Sequence, residues 1–179
     1  DVYKRQLLYH LALNHMARGK NREAESCFCE SIRQKENAWS RYGLASLLCL
    51  EGREYERAVS GMEMGLMERA GDLSYVKEGF RVLARCSGYD ALIRVYEQLP
   101  ENVAAESRVV LEYITALYQT GRYKEAYALL TADGGLVVAD LREGENSIVC
   151  LWRELRRALH MPEEEVPHVF DFNAEGRHS

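Results

Sequence analysis

A chain of 179 residues, 47% hydrophobic and 28% charged, is long enough for one compact core or a short repeat array. Its 28 acidic and 23 basic side chains are interspersed and sum to a formal charge of -5, which argues against the basic field of a general nucleic-acid binder. No apolar run reaches the roughly 20 residues of a membrane span, and three prolines with no alternating apolar stretch point to an all-α protein.

Leu7, Leu8, Leu11, Ala12 and His15 recur at helical spacing and predict a first helix over Tyr3 to Arg18. Gly19 turns the chain, and Ala24, Cys27, Phe28 and Ile32 predict a second helix from about Arg22 to Lys35. A second pair spans Asn37 to Ala70, opening on Trp39-Ser40-Arg41-Tyr42-Gly43 and resuming at Tyr55-Glu56-Arg57-Ala58. The corner Glu51-Gly52-Arg53-Glu54 takes up the extra length of this pair. Gly61 and Gly65 then lie one turn apart on its second helix, each costing about 1 kcal/mol against alanine. The expected return is close approach of a neighbouring helix.

Asp72 is placed to cap the next helix, whose apolar face is Val76, Phe80, Leu83 and Ala84. Ser87 to Ala91 forms a short corner, and Leu92, Val95, Tyr96 and Leu99 line a short partner that Pro100 ends. The fourth pair, from about Val103 to Thr131, is the clearest. Val109, Val110, Tyr113, Ile114 and Leu117 share one face, Gly121 makes the corner, and Tyr123, Ala126, Tyr127 and Leu130 share the next. Beyond it, Asp133-Gly134-Gly135 reads as a turn and Leu136 to Asp140 as a short extended run. Asn146 or Ser147 is expected to cap a last helix to about His160, striped by Ile148, Leu151, Trp152, Leu155 and Leu159. A tail follows from Glu163 to Ser179, with Val169, Phe170 and Phe172 available to pin it back.

Helix, Gly121, aromatic Tyr123, Glu125-Ala126, helix resembles the tetratricopeptide hairpin. The expected fold is an all-α, right-handed α-α superhelix of about four TPR-like pairs over residues 1–131. A loop and capping helix over 132–160 and an extended tail over 161–179 complete it. More specifically, Gly135 to Ser147 followed by Leu151-Trp152 resembles the end of a bacterial family. Its members join a mutarotase-like β-sandwich domain of unknown function to a long helical array. Their closing Asp-Phe-Arg motif is matched by Asp171-Phe172-Asn173 except at the third position. The resemblance implies that carbohydrate chemistry belongs mostly to an upstream domain. Opening at Asp1 without a start Met, the chain reads as the tail of a longer polypeptide, with the origin of Asp1 to Gln6 left open.

Catalytic signatures are missing from the sequence: no His-Glu-x-x-His, phosphate-cradling glycine loop or nucleophile elbow is present. Cys27, Cys29, Cys49, Cys86 and Cys150 read as reduced, mostly buried thiols. Cys27 and Cys29 lie two apart, so on a helix they point to nearly opposite sides and chelate poorly, and no metal and no cofactor are expected. Paired acids such as Glu143 and Glu145 suit a helix start, and Arg142 suits a loop clamp. Trp39 and Trp152 sit at core positions, and Arg153, Arg156 and Arg157 form a solvated basic edge. The remaining candidate is the inner groove, where spacing places Gln6, Tyr9, Ser40, Leu44, Tyr75, Glu78, Arg108, Leu111, Tyr118 and Gln119. The expectation is a non-catalytic, cytoplasmic scaffold binding a protein partner or its own missing N-terminal domain, a second copy included. The alternative is an accessory region of a carbohydrate-active enzyme, lending Arg142 or Glu143 to a cleft in the upstream sandwich domain.

Overall fold

The computed structural model describes residues 2–34, 37–138 and 147–170, which contain ten α-helices, two 3-10 turns and no strand. They divide into two compact units, Asp1–Pro100 and Glu101–Ser179.

The first unit is three successive hairpins: α1 (Val2–Ala17) with α2 (Asn21–Gln34), α3 (Ala38–Leu50) with α4 (Tyr55–Glu68), and α5 (Leu73–Arg85) with α6 (Tyr89–Tyr96). Each hairpin leans on the next, α2 on α3, then α3 and α4 on α5. No pair covers its own apolar face, so the seam is closed only by the stack. Ala12, Ala24, Phe28 and Leu47 form one fully buried cluster within it. The Phe28 ring lies directly against Gly43, at a spot where any side chain would collide with it. That explains the glycine closing the Trp39 to Gly43 run.

Two helix starts of this unit are fixed by side chains. Asn37 Oδ1 accepts the Ser40 N–H at 3.4 Å, and Asp72 Oδ1 accepts the Tyr75 N–H at 3.1 Å. At the corner between α3 and α4, both Gly52 (φ 66°) and Glu54 (φ 50°) are left-handed, which absorbs the extra residues. Tyr75 is fully buried, stacked edge-on against Trp39 at 4.9 Å between ring centroids. Its hydroxyl donates to the Ala38 carbonyl at 2.5 Å. Desolvation raises the Tyr75 pKa well above the usual phenol value, so this donor stays protonated.

The second unit opens on a one-turn helix, α7 (Glu101–Ala104), before α8 (Ser107–Gln119) and α9 (Tyr123–Thr131). The first long helix of the fourth pair therefore starts later than the spacing predicted. The physical reason is the Glu106 carboxylate, which accepts the Arg108 and Val109 N–H groups at 3.0 and 3.3 Å and resets the helix start. Gly121 makes the α8–α9 corner at φ 81°, a conformation that an L side chain resists. The last helix, α10 (Ser147–Ala158), packs on both α8 and α9 and buries Ile148, Leu151, Trp152 and Leu155. Phe170, in a 3-10 turn (His168–Phe170), is buried against Gly135, so the segment after α10 does fold back. Asp140, Asn146 and Phe172 lie outside the described residues.

Candidate functional site

The groove residues expected from spacing separate on inspection. Tyr9 is half-buried on α1, its ring 6.2 Å from that of Phe28, and desolvation followed by the nearby Tyr42 raises its pKa. With Trp39 it faces an open cleft of about 440 Å³. Ser40 and Tyr75 are withdrawn completely. The Ser40 and Ser31 hydroxyls share a hydrogen bond of 2.8 Å inside the α2–α3 contact, so neither Ser40 nor Tyr75 presents a side chain to a partner. Period alone gives the face of a helix but not whether a neighbouring element covers it, and both positions are covered. Glu78 is half-buried and takes the Tyr42 hydroxyl at 3.4 Å and Arg81 at 2.8 Å. In the second unit, Arg108 and Tyr118 are half-buried and Gln119 is exposed, all on α8. Arg142 and Glu143 lie outside the described residues.

A different cleft stands out in the first unit. It has a volume of about 390 Å³ and lies between α2, α3 and α4, over a floor of Ile32, Leu44, Ala45 and Met64. Arg33, Arg41 and Arg57 rim it, with Cys29, Ser60 and Gly61 completing the wall. Arg57 bridges Glu25 and Glu54 at 2.8 and 3.0 Å, and turns its other terminal nitrogen onto the Cys29 sulfur at 3.2 Å. Arg41 holds Glu68 through Nε at 3.0 Å and points Nη1 at the Met64 sulfur, 3.7 Å away. Hydrogen bonds from Arg53, then from Arg57, hold the Glu25 carboxyl below the usual carboxylate range.

Gly61 is the residue sequence reasoning misread here. A side chain built at Gly61 would meet nothing within 4 Å, whereas one at Gly65 would run into the Tyr75 hydroxyl. Only Gly65 makes the helix contact expected of both. The available signal was a mid-helix glycine with polar Ser60 beside it, which spacing cannot distinguish from a packing glycine.

Among the described residues no group of three or more His, Cys, Asp or Glu side chains is placed to hold a metal ion. No described helix is long and apolar enough to cross a membrane. All five cysteines are free thiols, and burial with a contact to Cys49 pushes the Cys86 thiol up to about 12.

Hairpins stacked in this way make the chain an all-α helical repeat of the tetratricopeptide type. Its fold is similar to the crystal structure of a TPR-domain containing protein from Parabacteroides distasonis, with a TM-score of 0.57 and 20% sequence identity. The match covers 91% of this chain and spans 27% of that one. At this identity the likeness defines the fold alone. No protein family model matches the chain, and no curated protein does.

Proposed function

We propose that this chain is a non-catalytic interaction module that docks a segment of a protein partner. The partner is either a separate chain or a domain preceding it in the same polypeptide. On this reading residues 1–131 form the docking array, 132–160 its closing segment and 161–179 a C-terminal extension, of which Phe170 is buried against Gly135. The supporting observation is the cleft between α2, α3 and α4, where Met64 stays 47% exposed on the floor it shares with Ile32, Leu44 and Ala45. Apolar side chains are exposed elsewhere too, Leu7 and Leu50 among them; here the exposed side chain belongs to a concave lining with Ile32, Leu44 and Ala45, and covering it with a partner recovers hydrophobic free energy.

The test is capture by the immobilised chain from an extract of its source cells, repeated with Gly61→Leu, which fills the cleft, and with Arg108→Ala plus Tyr118→Ala on α8. A specific partner should be captured by the parent and drop by about tenfold or more with Gly61→Leu. Capture unaffected by either change would defeat the reading; loss only with the α8 pair would move the docking surface to the second unit.

A further inference from the structure

On the docking reading of the α2–α3–α4 cleft, the geometry points to an acidic, aliphatic peptide as its occupant: an extended stretch alternating Asp or Glu with Leu, Ile or Val. Four observations converge on that chemistry. Arg33, Arg41 and Arg57 line the cleft, while the carboxylates they pair with, Glu30, Glu68, Glu25 and Glu54, are not among its lining residues. Two of these guanidiniums direct N–H groups at sulfur, Arg57 at Cys29 and Arg41 at Met64. Thiol and thioether sulfur are weak acceptors, so an incoming carboxylate oxygen replaces poor contacts with charge-assisted ones.

The third observation is Gly61. A glycine inside a helix costs about 1 kcal/mol of propensity, and this one gains no helix contact, since its side-chain space is empty. Its empty space opens on the cleft wall, where a bare backbone lets a ligand approach closely. The fourth is size and pattern. From Arg57 to Met64 the α4 wall runs roughly 10 Å, the span of about three extended residues. Successive side chains of an extended segment point to opposite sides, so one set meets the aliphatic floor while the other meets the arginine rim. No aromatic ring lines this cleft, which leaves nothing for a nucleic-acid base to stack on.

Cys29 reports on occupancy directly, because it is half-buried in the wall while Cys150 is exposed in the other unit. The experiment is alkylation of the full chain with N-ethylmaleimide, read by mass spectrometry at each cysteine. The probes are acetyl-Leu-Glu-Leu-Glu-Leu-amide, its Gln-for-Glu counterpart and sodium hexanoate. At millimolar concentration the acidic peptide should slow Cys29 labelling by about threefold or more and leave Cys150 unchanged. The Gln peptide and hexanoate should give no protection. Gly61→Leu and, separately, Arg57→Gln should abolish it, each rate being compared with and without peptide in the same variant. Circular dichroism confirms that both variants remain helical. Equal protection by the Glu and Gln peptides overturns the acidic preference and leaves the docking reading standing. Equal protection by hexanoate overturns the peptide as occupant. No protection by either peptide overturns the inference, and if Gly61→Leu also retains partner capture, the docking reading falls with it.

Discussion

Helix α4 carries two glycines one turn apart, and the regions they face differ in kind. On the Gly65 side, the Tyr75 hydroxyl occupies the space a side chain would need, Trp39 packs edge-on against the Tyr75 ring, and the Ala38 carbonyl accepts the hydroxyl's hydrogen bond. On the Gly61 side there is an unfilled cleft with sulfur atoms and guanidiniums on its wall. One glycine serves the packing of the fold and the other does not. The same residue type on one helix, buried at Gly65 and half-buried at Gly61, is therefore expected to act on stability in opposite directions.

The strongest way to test the packed side is Tyr75→Ala, which removes a fully buried ring and strands the Ala38 carbonyl. A loss of roughly 3–5 kcal/mol is expected, read as a fall in the urea midpoint. Next comes Gly65→Ala: the added methyl displaces the Tyr75 hydroxyl, at a cost of about 1–3 kcal/mol. Gly61→Ala should move the other way, raising stability by about 0.5–1 kcal/mol through helix propensity alone. Thermal melts of these two alanine variants that shift in the same direction would erase the distinction between the two sides.

The smallest effect belongs to the ion network behind the cleft. Glu25 is 21% exposed and held by Arg53 at 2.6 Å and Arg57 at 2.8 Å. Its folded pKa is depressed relative to the unfolded chain, so its contribution is present at neutral pH. It is lost as pH falls from the ordinary carboxylate range through the lowered folded value. Glu25→Gln should cost under about 1 kcal/mol at pH 7 and flatten the acid limb of a stability-against-pH curve. An unchanged acid limb would show that the network contributes nothing there.

Much of the fold was legible in the residues, because helical period, corner glycines and caps are local signals. Gly19, Gly52 and Gly121 sit at the corners with φ of 69°, 66° and 81°, and Asp72 caps α5 as its position suggested. At the third corner the left-handed residue is Ser87, while Gly88 instead makes room for Val59. The short α7 was also missed, since one turn is too brief to show a period. The site was far less legible. Periodicity tells which side of a helix is apolar, but whether a neighbour covers it depends on the offset between hairpins. Hence Ser40 and Tyr75, expected in the groove, are sealed inside, and Gly61 opens where a contact was expected.

Arg156, expected on a solvated edge of α10, is instead buried there with only 6% of its surface exposed. Its guanidinium sits 4.8 Å from the centre of the Trp152 ring and donates to the Tyr127 hydroxyl at 3.1 Å and the Pro162 carbonyl at 2.5 Å. Glu164 supplies the countercharge at 3.1 Å. Two of those four companions come from the stretch that leaves the final helix. Shortening the polypeptide to the end of α10 would therefore orphan a cation in a greasy setting, and with Phe170 also buried the sensible place to cut or to attach a label is beyond Phe170.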